Sequence, residues 1–118
     1  MPADEVYRSV SDALAATQRV VLATVAHTRG STPRRVGAKM AVRQDGSFVG
    51  TIGGGCGEAE VWQEAMATLE DGQPRVVTVD LTEPTEGEDK ICGGIMRVFV
   101  ERFEPGDSGD GPLRDTLT

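Results

Sequence analysis

Apolar positions along the chain follow two different periods, and the switches between them predict the order of elements. Val6, Val10, Ala13 and Leu14 recur at helical spacing behind Pro2, with Asp4 and Glu5 placed to favour the positive end of a helix dipole. A first amphipathic helix is therefore predicted over about residues 3–18. The run "RVVLATVA" that follows is β-branched and short, which predicts a strand buried on both faces, and Gly30, Pro33 and Gly37 then force "HTRGSTPRRVG" into a loop. "AKMAVR" and "SFVGTI" flank "QDGS", where Asp45-Gly46 predicts a tight hairpin.

From Cys56 onward, Trp62, Ala65, Met66 and Leu69 form an apolar stripe at i, i+3, i+4 and i+7, with Glu58, Glu60 and Glu64 directed elsewhere and Gly72 ending the helix. "PRVVTVDL" and "IMRVFVERF" read as two more strands, the second alternating Met96, Val98 and Val100 against Arg97, Phe99 and Glu101. The order helix, strand, hairpin, helix, strand, strand predicts an α+β fold: a single small domain with a mostly antiparallel or mixed sheet covered by two helices. That domain is expected over residues 1–103. The segment 104–118, "EPGDSGDGPLRDTLT", is too polar and glycine-rich to pack and is expected to be a disordered tail.

A length of 118 residues fits one such domain and is too short for two. The formal charge of −7 speaks against wholesale binding of nucleic acid or of an anionic membrane, so any anion site has to be local. One local patch exists: Arg29, Arg34, Arg35, Lys39 and Arg43 fall in a window without Asp or Glu. Only two cysteines, Cys56 and Cys92, are present, unlike a disulfide-stapled secreted domain. The N-terminus lacks the basic start and apolar run of a signal peptide, and no stretch approaches the roughly twenty apolar residues of a membrane span. A soluble, cytoplasmic protein is expected.

The stretch "GTIGGGCGEAEVW", residues 50–62, carries the strongest chemical signal. A strand that ends in Gly53, Gly54 and Gly55 and turns directly into a helix offers bare backbone N–H groups and a positive dipole end at one point, a ready anion site. It is neither a Walker A loop nor a complete dinucleotide fingerprint. Cys56 at the helix start would have its thiolate stabilised by the same dipole; alternatively it is a small buried hydrophobe and the glycines only make a tight turn. In "GSTPRRVGAKM", Pro33 stiffens a loop whose Arg34 and Arg35 could grip phosphate or carboxylate, the alternative being a solvated basic loop. Cys92, Gly93 and Gly94 repeat the cysteine-glycine theme before a strand. His27 is the only histidine, so a zinc site would need carboxylates to complete four ligands, and no metal site is expected. The acidic cluster Asp80, Glu83, Glu86, Glu88 and Asp89 reads as a solvated loop.

Three segments together, "GSTPRRVGAKM", "GTIGGGCGE" and "CGGIMRVFVE", resemble the N-terminal domain of the XdhC/CoxI family, accessory factors for maturing molybdenum hydroxylases such as xanthine dehydrogenase and carbon monoxide dehydrogenase. The resemblance covers about residues 10–103. It implies a non-catalytic chaperone that binds molybdenum cofactor (molybdopterin), protects it during sulfuration and passes it to an apo-molybdenum hydroxylase. Carried over, Pro33, Arg34, Gly37 and Met40 match one signature, the glycine segment with Cys56 and Glu58 the next, and Cys92, Gly93 and Gly94 the third; Arg35 joins the expected cofactor-binding set. Gly57 stands where the family usually has an aliphatic residue and is expected to loosen the first helical turn. Family members often continue into a Rossmann-like domain, so a separately encoded domain or a cysteine desulfurase is an expected partner, and with only five aromatic residues to enclose a large cofactor a homodimer is expected. Two readings compete: a small thiol enzyme in which Cys56 carries a persulfide, and a docking module without chemistry.

Overall fold

The computed structural model describes residues 2–30, 32, 35–52, 57–81 and 94–105. The elements follow the expected order: α1 (Pro2–Ala15), β1 (Val20–Gly30), β2 (Lys39–Arg43), β3 (Phe48–Gly50), α2 (Glu58–Asp71), β4 (Arg75–Asp80) and β5 (Gly94–Phe103). The strands form one sheet in the order β3-β2-β1-β5-β4, with every neighbouring pair antiparallel. Of the two sheet types expected, the antiparallel one is present. Among the described residues no helix is long and apolar enough to cross a membrane.

The helices lie on opposite faces. Val6, Val10 and Ala13 of α1 pack with Val20, Leu22, Ala41 and Phe103, while Val61, Ala65 and Leu69 of α2 pack with Val21, Ala23, Val25, Val42, Met96, Val98 and Val100. β1 is thus buried on both faces over Val20–Ala23, as its unbroken apolar run requires, and each fully buried valine stabilises the fold by about 1.5 kcal/mol. α1 packs over β1, β2 and β3, whereas α2 packs over β1, β2, β4 and β5. Arg43 Nε donates to Ser9 Oγ at 2.8 Å, which satisfies the buried Ser9 and ties α1 to the sheet.

Three local outcomes differ from the sequence pattern. α1 stops at Ala15 because Thr17 takes a left-handed conformation (φ 63°) and Gln18 N–H closes the helix end on Ala13 O at 2.9 Å. β1 runs on through His27, Thr28 and Arg29 to Gly30, because β5 pairs with it as far as Gly30 opposite Gly94. A register shift between Val25 and His27 leaves Ala26 as the extra residue of a bulge. Finally, the buried stripe of α2 is Val61, Ala65, Thr68 and Leu69. Trp62 is only half-buried, with its Nε1–H donating to Gly46 O at 2.9 Å across the β2–β3 turn.

That turn forms as Asp45-Gly46 predicts: Gly46 has φ 87° and Asp45 Oδ1 accepts from Ser47 N–H at 2.9 Å. At the far end of α2, Gly72 is left-handed (φ 75°) with its N–H on Thr68 O, and Arg102 Nη1 donates to Leu69 O at 3.2 Å. A cation there offsets the negative end of the helix dipole. Glu104 forms ion pairs with Arg102 and Arg19, while residues 106–118 of the expected tail lie outside the described residues.

Candidate functional site

The antiparallel arrangement sends the three motif-bearing connections to one end of the sheet. β1 rises to Gly30, β3 to Gly50 and β4 to Asp80; β2 descends from Lys39 and β5 from Gly94. The connections 31–38, 51–57 and 81–93 therefore start and finish at that end, and α2 begins there. The opposite end holds the α1–β1 and α2–β4 connections and the β2–β3 hairpin. A cavity of about 610 Å³ lined by Arg19, Gln44, Met66 and Leu69 opens at that opposite end, away from the motifs.

Described anchors of the three connections are fixed to one another. Leu81 N–H donates to Gly94 O at 2.7 Å, and Gly94 faces Gly30 across the ladder. Gly37 N–H donates to Val25 O at 2.8 Å, and Ala38 N–H donates to Arg35 O at 3.1 Å, closing a turn whose third residue, Gly37, has φ 96° as a type II turn demands. Gly50 (φ 88°) is packed so closely that a Cβ there would lie 2.5 Å from Lys39 O and from Val6 Cγ2.

Gly57 corrects the expectation that it loosens the helix. It sits ahead of the first turn of α2, at the cap position, with φ 80° and ψ −2°, and a Cβ there would lie 2.5 Å from Val79 Cγ1. Its role is to bring the helix start onto β4. Gly57 at the cap position has no side chain with which to accept from the first-turn N–H groups, and Glu58 and Glu60 in that turn offset part of the positive dipole.

Of the expected site residues, Arg35 is exposed on the first connection, Glu58 is half-buried at the start of α2, and Gly94 is buried at the start of β5. Pro33, Arg34, Gly53, Gly54, Gly55, Cys56, Cys92 and Gly93 lie outside the described residues. Sequence reasoning missed Arg97, which the fold adds at this end beside His27 and Arg29. Opposed residues of a ladder share a face, so the pair His27–Arg97 and the pair Arg29–Ile95 lie on the sheet face that α1 packs on. His27, Arg29 and Arg97 are exposed there. The readable signal was the polar set of β5 at Arg97 and Glu101, alternating against its buried valines.

Lys39 and Glu101 occupy the same face, on either side of β1. Lys39 Nζ donates to Thr24 Oγ1 at 3.2 Å; burial lowers its pKa, opposed by the charge of Glu101. Burial likewise raises the pKa of Glu101, opposed by Lys39. Among the described residues no group of three His, Cys, Asp or Glu is placed to hold a metal ion.

Residues 13–80 match the family model described as the XdhC and CoxI family. The chain is 34% identical over 98 residues to the molybdenum cofactor insertion chaperone PaoD of Escherichia coli (strain K12), covering 83% of this chain and 31% of PaoD. It is 31% identical over 101 residues to a probable xanthine dehydrogenase component of Bacillus subtilis (strain 168), covering 82% of this chain and 31% of that protein. It is also 43% identical over 82 residues to E. coli YqeB, covering 67% of this chain and 15% of YqeB. A crystal structure of a xanthine dehydrogenase from Bacillus halodurans superposes with a TM-score of 0.73 at 31% identity, over 99% of this chain and 33% of that one. The chain thus spans a third or less of each of these proteins, and it belongs to the XdhC and CoxI family.

Proposed function

We propose that this domain holds molybdenum cofactor at the loop end of its sheet, shelters it while a terminal oxo ligand is exchanged for sulfur, and presents it to an apo-molybdenum hydroxylase. The observation that carries this reading is that the three motif-bearing connections start and finish at one end of the sheet, where α2 also begins behind a left-handed glycine, Gly57. The similarity to PaoD, named for cofactor insertion, supports a chaperone in place of a catalyst.

The chemistry of the described donors fits an anionic pterin phosphate: backbone N–H groups at the start of α2 and the exposed Arg35 guanidinium belong to the same end of the sheet, with Arg29 and Arg97 on its α1 face. Arg34 and Arg35 would grip phosphate oxygens, with Pro33 stiffening their loop. Gly53, Gly54 and Gly55 would give the bulky group access to backbone N–H groups, and Glu58 would orient the helix start. Cys56 would face the sulfur-rich end, and Cys92, Gly93 and Gly94 would close the other side. When bound, the cofactor supplies a metal-dithiolene centre to which soft thiolates are matched ligands.

A domain with only five aromatic residues has little with which to cover such a group, so a homodimer is the proposed working form, with a cysteine desulfurase and the hydroxylase as further partners. Gel filtration of the chain after incubation with purified cofactor tests the reading. Wild type is expected to co-elute with cofactor at about twice the 12.5 kDa chain mass. Cys56→Ala is expected to lose most of it, and Arg34→Ala/Arg35→Ala to retain less with a weaker dependence on salt. Equal retention by all three proteins, at matched circular dichroism, removes the cofactor from this site. Turnover of a sulfur donor by wild type without cofactor retention would favour the thiol enzyme.

A further inference from the structure

β4 ends the sheet, and no described strand pairs with its outer edge. The bond from Leu81 N–H to Gly94 O fixes the parity of that edge. Leu81 belongs to a hydrogen-bonded pair, so Val79, Val77 and Arg75 also turn their N–H and C=O groups toward β5, and Val76 and Thr78 turn theirs outward. Edge strands are ordinarily blunted by a lysine, a proline or a bulge. "RVVTVD" contains no lysine, proline or bulge and carries its charges only at its two ends, Arg75 and Asp80; it pairs with β5 in unbroken register and leaves Val76 63% exposed.

Along this edge runs a groove of about 500 Å³, with Glu60, Gln63 and Glu64 on its helix wall and Arg75 to Thr78 on its floor. The helix wall carries two carboxylates and no cation. Arg75 offsets only part of this charge: its guanidinium is shared between Asp71, at 2.6 Å and 3.0 Å, and Glu64, at 3.4 Å, so one cation is set against the three carboxylates of Glu60, Glu64 and Asp71.

We propose that the β4 edge takes up an extended segment of another protein, bearing Lys or Arg at alternate positions, as a sixth strand of the sheet. Main-chain hydrogen bonds to Val76 and Thr78 supply affinity, and the alternation of side chains supplies specificity. Cationic residues face Glu60 and Glu64, while β-branched residues on the other side lie beside Val76 and Thr78. A second copy of this chain fits less well. Two-fold pairing of β4 with itself would bring Glu60 and Glu64 of both copies to the same side of the joint, and the one cation β4 offers there, Arg75, is already paired.

A fluorescent peptide of about eight residues alternating Lys and Val is the probe, titrated into the full chain by anisotropy at about 0.15 M salt. The lysine peptide is expected to bind, with a glutamate analogue at least on the order of tenfold weaker. Thr78→Pro removes one outward N–H and leaves the β5 ladder intact, so it is expected to weaken the lysine peptide on the order of tenfold while keeping the wild-type circular dichroism. Should that variant fail to fold, a peptide N-methylated at its edge-facing positions makes the same test on the wild-type chain and is expected to lose binding. No binding of the lysine peptide, equal binding of the glutamate peptide, or equal binding after either block overturns the proposal. A wild-type dimer that Thr78→Pro dissociates, without peptide binding, assigns the edge to a second copy and overturns it equally.

Discussion

Gly50→Ala isolates the cost of one close approach at the hinge between sheet, α1 and the motif loop. The new Cβ meets a backbone oxygen, Lys39 O, and a buried methyl, Val6 Cγ2, each at 2.5 Å. Neither can move freely, because Lys39 O belongs to β2 and Val6 is 1% exposed under α1. The left-handed φ of 88° adds about 1–2 kcal/mol for a residue with a Cβ, and overpacking a tight contact adds about 1–3 kcal/mol. The expected loss is about 2–5 kcal/mol, a large part of the 5–15 kcal/mol typical of a whole domain. Gly37→Ala serves as the control: its φ is 96° but nothing lies within 4 Å of its Cβ, so only the backbone cost of about 1–2 kcal/mol is expected. In urea, with a slope of about 1.5 kcal/mol/M, the midpoint should fall by about 1–3 M for Gly50→Ala and by about 1 M for Gly37→Ala. Equal midpoints for the two variants would refute the contact argument, since both share the backbone cost and only Gly50 carries the clash.

Asp71 and Trp62 provide two further measurements. Hydrogen bonds from Arg75 and from Gln73 N–H hold the Asp71 carboxyl down to about 2 against an ordinary 3.8, so its contribution to stability is present above about pH 4 and is lost as pH falls through about 2. Asp71→Asn is expected to flatten the pH dependence of urea midpoints between those values and to leave a smaller midpoint at pH 7; an unchanged acid slope would remove Asp71 as its source. Trp62→Phe keeps most of the apolar contact but leaves Gly46 O without its indole donor, for an expected loss of about 1 kcal/mol, read as a lower thermal midpoint. An unchanged midpoint would show that the bond contributes nothing net.

Elements whose identity depends on local pattern were legible in the sequence. The 3.6-residue period of Val6, Val10 and Ala13, the Asp45-Gly46 turn, the Gly72 stop and the alternation of Met96, Val98 and Val100 each carry their own physical cause within a few residues. Features set by distant partners were not. The extension of β1 to Gly30 depends on β5, more than sixty residues away, and the face α2 buries depends on where the helix lands on the sheet, which favours Val61 over Trp62. The site was legible in part. Grouping the three glycine-bearing segments agrees with their common end of the sheet, but Gly37, Gly50 and Gly57 answer to backbone geometry and close packing. Arg97 was legible only as a polar strand position, because its placement beside His27 requires the β1–β5 register.

The extra residue at Ala26 acts on β1 as a frameshift acts on a message. Before it, Val21, Ala23 and Val25 point under α2; after it, Thr28 occupies that phase opposite Met96, and His27 and Arg29 are read out on the other side. Were Ala26 taken into regular pairing instead of bulged out, the strand would keep a single phase. His27 and Arg29 would then be directed toward the apolar layer beneath α2, where a polar or charged group without a partner is costly, and the surface formed by His27, Arg29 and Arg97 would lose two of its three members. The bulge at one residue with no functional group thereby decides on which side of the sheet His27 and Arg29 are displayed, and a family alignment gapped at this position would signal a relative that keeps the same faces on a regular strand.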